Sequence, residues 1–300
     1  MKQLPIRTLK NNPSLAGMAR LLPDVTYSTQ TGAPLKLWMM LPWVPEGTDT
    51  ATLKRPAIVF VQGSAWTFPD VCFEIPQLSQ FARMGFVVAT VTHRNLLEGH
   101  AFPAYLQDVK CAIRYLRAHA EEYGIDPARV AIWGTSSGGN TALLVGLTAN
   151  DPAYETEEYA GISDEVSAVC ACFGPTDLPA MLNELDYVQN DEFSAIFRGL
   201  LGDDPVLAKE RMIEMSPVSH VEAGKSYPPF LVLHGTADPL VPYAQCEAIA
   251  EKLFDCGADV QMLAVEGAEH EGSFWSEALL SEIASFLREK LKHSGKENAF

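Results

Sequence analysis

No apolar run in the chain approaches the ~20 residues needed to cross a bilayer. The longest, such as residues 56–61, have the length of a strand, so no membrane partner is expected. Basic residues are scarce: 22 Lys and Arg stand against 38 Asp and Glu, for a net charge of −16. That field repels nucleic acid and anionic lipid, and a solvated acidic surface accounts for it most simply. Cysteine is thin as well. The six, Cys72, Cys111, Cys170, Cys172, Cys246 and Cys256, form neither a disulfide framework nor a CxxC motif, and no paired histidine spacing suggests a metal site. Buried, reduced thiols and the absence of any metal or other cofactor are the expectation. The N-terminal MKQLPIRTLKNN has no apolar core of the signal-peptide kind, which leads to an expected cytoplasmic location. Neither a 20–50-residue repeat nor a low-complexity tract occurs, which excludes solenoids and propellers.

What is present is a chain of 300 residues, 47% hydrophobic and 20% charged, enough to bury a large core as one α/β domain. Residues 25–41 read as a leading hairpin that turns at Thr31-Gly32-Ala33-Pro34. Short apolar strands follow at 56–62, 86–92, 129–133, 166–173, 229–234 and 259–265. Between them lie helices with clear punctuation. Pro103 opens one, whose Leu106, Val109, Ile113 and Leu116 share a face, and Gly124 closes it. Pro242 opens another, which ends before Gly257. The last carries Trp275, Leu279, Ile283, Phe286 and Leu287 at helical spacing. Such alternation predicts an α/β fold with a mostly parallel eight-stranded sheet and helices on both faces. Two stretches break it: an acidic loop at 150–164, and residues 176–226, read as a lid-like insertion because long loops in compact domains are often functional.

The most informative motif is Gly134-Thr135-Ser136-Ser137-Gly138-Gly139. It follows a strand and precedes a helix bearing Leu143, Leu144 and Leu147, the context of a nucleophile elbow. Bulky side chains two residues either side of the serine would clash, which gives Gly134 and Gly138 a steric reason. A phosphate-binding turn is the competing reading, but the lysine of a P-loop is missing. Ser137 is a rival hydroxyl, yet only Ser136 has glycine at both minus two and plus two.

An elbow serine needs a carboxylate and then a histidine further along the chain. Of His220, His234, His270 and His293, only His270 lies in a loop between the last strand and the last helix. His234 ends a strand and reads as a turn-shaping residue. Among Asp238, Asp255, Asp259, Glu266 and Glu269, Asp238 lies just beyond a buried strand, before Pro239. The expected catalytic set is therefore Ser136, Asp238 and His270, working through an acyl-enzyme. The Ser137 N–H and those of Ser64 and Ala65, in the loop Gln62-Gly63-Ser64-Ala65-Trp66, are the expected oxyanion-hole donors. Trp66 and Trp275 are expected to flank the substrate as aromatic walls, with core packing as the alternative.

These motifs, together with His93-Arg94, Phe102-Pro103-Ala104, Tyr123-Gly124-Ile125-Asp126-Pro127 and Phe173-Gly174-Pro175-Thr176-Asp177, resemble the hormone-sensitive-lipase-like branch of the α/β-hydrolases. The resemblance is nearest to the bacterial feruloyl and acetylxylan esterases and spans roughly residues 35–292. It implies an ester substrate, a small molecule or an oligosaccharide, with acetyl or feruloyl groups on plant-type carbohydrates. A general short-chain carboxylesterase, an arylformamidase-like amide hydrolase and a non-catalytic ligand-binding relative are the alternatives, and a homo-oligomer is compatible with any of them. The departure lies at the loop where that family carries HGGGW: Gln62 stands for His, and Ser64-Ala65 for two glycines.

Overall fold

The computed structural model describes residues 5–184, 196, 198–202 and 204–292. Eight strands form one sheet: β1 (Ala19–Ser28), β2 (Leu35–Pro42), β3 (Arg55–Val61), β4 (Val87–Val91), β5 (Ile125–Thr135), β6 (Ala168–Cys172), β7 (Phe230–Gly235) and β8 (Val260–Val265). Their spatial order is β1-β2-β4-β3-β5-β6-β7-β8. β2 pairs antiparallel with both β1 and β4, and every pairing from β4 to β8 is parallel. The expected architecture is the one observed, except that the leading hairpin begins at Ala19 rather than 25. β1 is an edge strand with half of its residues exposed, so no alternation of apolar residues marked where it starts.

Parallel neighbours need crossovers, and helices supply them. α1 (Ile75–Arg83) joins β3 to β4; α2 (Ala104–Ala118) and α3 (Ala120–Tyr123) join β4 to β5; α4 (Ser137–Leu147) joins β5 to β6. α5 (Leu178–Glu184) and α6 (Pro205–Glu214) lie between β6 and β7, α7 (Ala244–Asp255) lies between β7 and β8, and α8 (Glu277–Lys290) follows β8. One face of the sheet packs under α2, α4 and α7. The other packs under α1 and α8. Central strands covered on both sides must be apolar at every position, and in β5 the run from Val130 to Trp133 is at most 1% exposed. α4 is likewise buried at all its residues, which is why it reads as continuously apolar. Among the thiols, Cys111, Cys170, Cys172 and Cys246 are buried as expected, whereas Cys256 is half-buried and Cys72 is exposed.

The acidic loop at 150–164 is anchored by a buried ion cluster. Asp164 accepts from Lys110 Nζ at 3.0 Å and from the Arg114 guanidinium, with the Lys110 and Asp164 side chains both 0% exposed. The Lys110 ammonium also donates to Thr148 O at 2.6 Å. Asn150 and Asp164 exchange backbone-to-side-chain hydrogen bonds at 2.8 and 3.1 Å. The cluster therefore ties α2 to the end of α4.

In the insertion between β6 and β7, residues 185–195, 197 and 203 lie outside the described residues, so the lid expected over 176–226 is only partly described. Its base is held from below. Asn140 donates to Pro175 O and Met215 O at 2.9 and 2.8 Å. The Gln245 side chain accepts from the Thr176 and Asp177 N–H groups at 2.9 and 2.7 Å. Asp177 itself accepts from the Ala180 N–H at 3.0 Å, which supports the first turn of α5.

Candidate active site

The loops after β5, β7 and β8 all leave the same, carboxyl-terminal edge of the sheet, where open α/β folds place their ligands. Ser136 sits between β5 and α4 with φ 51° and ψ −121°, a conformation costly for any residue with a side chain. Its surroundings enforce it. A Cβ on Gly134 would lie 2.0 Å from Gly138 O, and one on Gly138 2.0 Å from Val61 O. The two glycines thus let the elbow close on itself and lie against β3. Ser136 N–H is pinned to Cys172 O at 2.9 Å, at the end of β6.

His270 reaches this serine from the loop after β8. Its Nε2 lies 3.1 Å from Ser136 Oγ and its Nδ1 2.7 Å from Asp238 Oδ2. The loops carrying the two partners are fastened to each other: Ala237 N–H donates to Ala268 O at 3.0 Å, and Gly267 N–H to Thr236 Oγ1 at 2.9 Å. The Phe173 ring stands edge-on to the imidazole, with centroids 4.7 Å apart. The Asp238 side chain is 0% exposed. Burial alone would raise its pKa. Donation from His234 and His270, together with the Val241 N–H, more than offsets burial and holds the carboxyl well below the usual range. Its Oδ1 accepts from the Leu240 and Val241 N–H groups at 2.8 and 2.9 Å. Ser136, His270 and Asp238 are thus brought together as expected. His220 makes its ring contact elsewhere, with Glu214 O, and His293 lies outside the described residues.

The oxyanion loop differs in one respect from the expectation. Ser64 N–H is not free: it donates to Ser137 Oγ at 2.9 Å. The Ser64 hydroxyl folds back onto Thr67 O at 3.2 Å. Among the described residues, the Ala65 and Ser137 N–H groups have no protein acceptor. Gln62, standing where the resembling family has histidine, accepts the Asp70 N–H through its side-chain oxygen at 2.5 Å and so braces the loop from the far side. Ser137, the rival hydroxyl, is engaged with this loop rather than with His270.

The two tryptophans expected as aromatic walls differ: Trp66 is buried, whereas Trp275 is half-buried at a cavity. Trp66 is 4% exposed and packs against Tyr105, so it presents no free ring face. Trp275 donates through Nε1 to Glu271 Oε2 at 2.7 Å. It meets Phe173, which in turn meets His270, and it lines a cavity of about 170 Å³ with Phe60, Trp133, Glu74 and Leu280. Trp66 is therefore a packing residue, and Trp275 forms part of the cavity wall behind Phe173. The cavity carries an electrostatic cost. Glu74 is 7% exposed, and neither of its carboxyl oxygens has a hydrogen-bond partner among the described residues. Burial, then the nearby Glu271, pushes its pKa up to about 8 from an ordinary 4.5. The folded protein therefore keeps a proton between pH 4.5 and 8 that the unfolded chain gives up, and stability falls as pH rises across that window. The expected slope is about 1.4 kcal/mol per pH unit. Glu74→Gln should flatten the slope in urea titrations at several pH values, and equal slopes in the two proteins would contradict it.

Among the described residues, no group of three or more His, Cys, Asp or Glu side chains is arranged to hold a metal ion. No helix among them is long and apolar enough to cross a membrane.

A mostly parallel eight-stranded sheet, with a strained serine after β5 hydrogen-bonded to a histidine after β8 and through it to an aspartate after β7, defines an α/β-hydrolase. Within that class the chain belongs to the BD-FAE family, which matches residues 45–253; the TAP-like protein family also matches, over 211–297. The chain is 30% identical to esterase LipC of Mycobacterium tuberculosis over 229 residues, 74% of this chain and 54% of LipC. It is 26% identical to a probable isoprenylcysteine alpha-carbonyl methylesterase of Arabidopsis thaliana, covering 75% of this chain and 47% of that protein. It spans about half the length of these curated relatives. Among solved structures, a truncated carbohydrate esterase from gut microbiota superposes with a TM-score of 0.75 at 26% identity, over 93% of this chain and 99% of that one. The butyrate-bound esterase Est2 of Thermogutta terrifontis gives a TM-score of 0.72 at 27% identity, over 93% and 95%.

Proposed function

We propose that the protein is a serine carboxylesterase that hydrolyses short acyl esters, acetyl foremost, and accepts feruloyl esters of plant-type carbohydrates. The observation that carries the reading is the unbroken hydrogen-bond chain from Ser136 through His270 to the buried Asp238. His270 Nε2 takes the Ser136 proton as Oγ bonds to the ester carbonyl carbon. Asp238 stabilises the imidazolium that forms. The Ala65 and Ser137 N–H groups meet the developing oxyanion, each such donor contributing on the order of 3 kcal/mol. Collapse expels the alcohol, which takes its proton from His270, and leaves an acyl-enzyme. Water then repeats the sequence and frees the acid. Supporting the ester class are the esterases among the similar proteins, and supporting a sugar alcohol is the likeness to a carbohydrate esterase.

The acyl preference follows from the oxyanion loop. Ser64 and Ala65 place Cβ atoms where the resembling family has glycine, narrowing the space beside the scissile carbonyl. Acetyl and propionyl esters of one aryl alcohol should therefore show higher kcat/KM than the octanoyl ester. A wild type fastest on octanoyl esters would overturn the steric argument. So would a Ser64→Gly, Ala65→Gly double variant with an unchanged chain-length profile. Rates on acetylated xylooligosaccharides and methyl ferulate, set beside the aryl esters, test the carbohydrate reading. Indifference to the sugar would reduce it to a general short-chain carboxylesterase.

A further inference from the structure

We propose that His234 is a positioning residue for the reaction above: a second imidazole that shares Asp238 with His270 and limits how strongly the carboxylate holds the imidazolium. The inference rests on reading Ser136, His270 and Asp238 as the reacting set.

His234 lies in β7, 1% exposed. Its Nε2 is 2.8 Å from Val241 O and 3.2 Å from Asp238 Oδ2. A carbonyl oxygen and an ionised carboxylate can only accept, so Nε2 carries the hydrogen and shares it between them. Nδ1 is buried with no hydrogen-bond partner among the described residues. Asp238 Oδ2 also accepts from His270 Nδ1 at 2.7 Å, so one carboxylate oxygen serves two imidazoles. The other is filled by the Leu240 and Val241 N–H groups.

A hydrogen bond to a charged form stabilises that form. Each donor that His234 and the backbone aim at Asp238 spreads its charge and leaves less for the His270 imidazolium. Fewer donors mean a carboxylate that grips the proton on His270 more firmly, and a base that becomes available only at higher pH. The other groups around the pair leave this sharing unopposed. Phe173 meets His270 with a ring edge, Tyr243 meets His234 edge-on at 5.9 Å, Glu271 is bonded to Trp275, and Glu269 is exposed. A clamp that merely shaped the turn would leave the pH dependence of catalysis in place.

The test is the acid limb of kcat/KM for an aryl acetate between pH 5 and 9, measured on the full chain. His234→Leu and His234→Asn both remove the donor at the Nε2 position, the shorter amide of asparagine failing to reach it. Each should move the limb upward by about half a pH unit or more, the fraction of one lost hydrogen bond to a charged group (about 1–2 pH units in full) that reaches His270 through the shared carboxylate, with KM little changed. His234→Gln, whose amide nitrogen reaches the Nε2 position, should restore the wild-type limb. An unmoved limb in folded Leu and Asn variants, a downward shift, or a Gln variant that behaves like Leu would each overturn the proposal. Should the Leu and Asn variants fail to fold, 15N spectra of the unsubstituted protein still decide: they should show the His234 hydrogen on Nε2 throughout the range. A hydrogen on Nδ1 overturns it. Failure of the underlying reading shows up separately, as a Ser136→Ala variant that keeps its activity.

Discussion

Ser136→Ala should lose ester hydrolysis by about a million-fold in kcat, the scale seen when such a serine is removed from its triad, while the far-ultraviolet spectrum and denaturation midpoint stay close to wild type. The fold should tolerate the change because Ser136 contributes backbone, not side chain, to the packing of the elbow: its N–H holds Cys172 O and its C=O receives the Asn140 N–H. Losing Oγ also removes a hydroxyl from a strained position without altering φ or ψ. Some hydrolysis above water should remain, since Ala65 and Ser137 can still polarise a bound carbonyl. Paraoxon gives a second readout. It phosphorylates serine hydroxyls that an adjacent base activates, and the expected adduct here is on Ser136 and absent from the Ala variant. A variant retaining a tenth of wild-type kcat would sink the assignment, as would a paraoxon adduct mapped to Ser137.

The second large effect is on stability. Asp164→Asn should cost about 3–5 kcal/mol, the range for removing one partner of a buried ion pair. Lys110 and Arg114 would then share the interior with only Asp151 still opposing the Lys110 charge. Burial already lowers the Lys110 pKa, and Asp164 is the first group that opposes the shift. The amide keeps the shape of the carboxylate and leaves an acceptor for the Asn150 N–H, so charge rather than packing is what changes. The denaturant midpoint should fall sharply. The remaining folded fraction should keep its kcat, because the cluster sits at the end of α4 away from Ser136. A midpoint within 1 kcal/mol of wild type would show that the two cations find other partners or give up their protons without consequence.

The sequence made the elbow legible because its glycines encode sterics: Gly134 and Gly138 are required by contacts of 2.0 Å that any side chain would meet. Asp238 and His270 were legible for topological reasons, since both lie later in the chain than the serine, in loops that follow strands and return to its edge of the sheet. The helix α1 carries fainter signs: its N-cap residue Glu74 makes no capping hydrogen bond, and only Pro76 in its first turn, Arg83 in its last and Gly85 beyond mark its ends. The engagement of Ser64 N–H with Ser137 Oγ depends on two loops meeting 73 residues apart in the chain. The contact of His234 with Asp238 depends on a turn folding back upon its own strand. Neither leaves a periodicity. Trp66 and Trp275 look alike as residues near a site, and only the packing of Tyr105 against the first buries it, while the second stays half-exposed at a cavity.

The order in which the chain delivers the three reacting groups also bears on when the protein becomes reactive. His270 is 134 residues beyond Ser136 and arrives only once β8 has docked at the sheet's edge. Parallel pairings of this kind close slowly because they join distant segments. During synthesis, which proceeds from the N-terminus, the elbow can form long before its base has left the ribosome. An unfinished or stalled chain therefore holds an unactivated hydroxyl and stays inert toward esters. Recovery of turnover after dilution from denaturant should accordingly coincide with burial of Trp133, whose ring is covered by Trp275 from the segment beyond His270, which makes esterase activity a clock for the last step of folding.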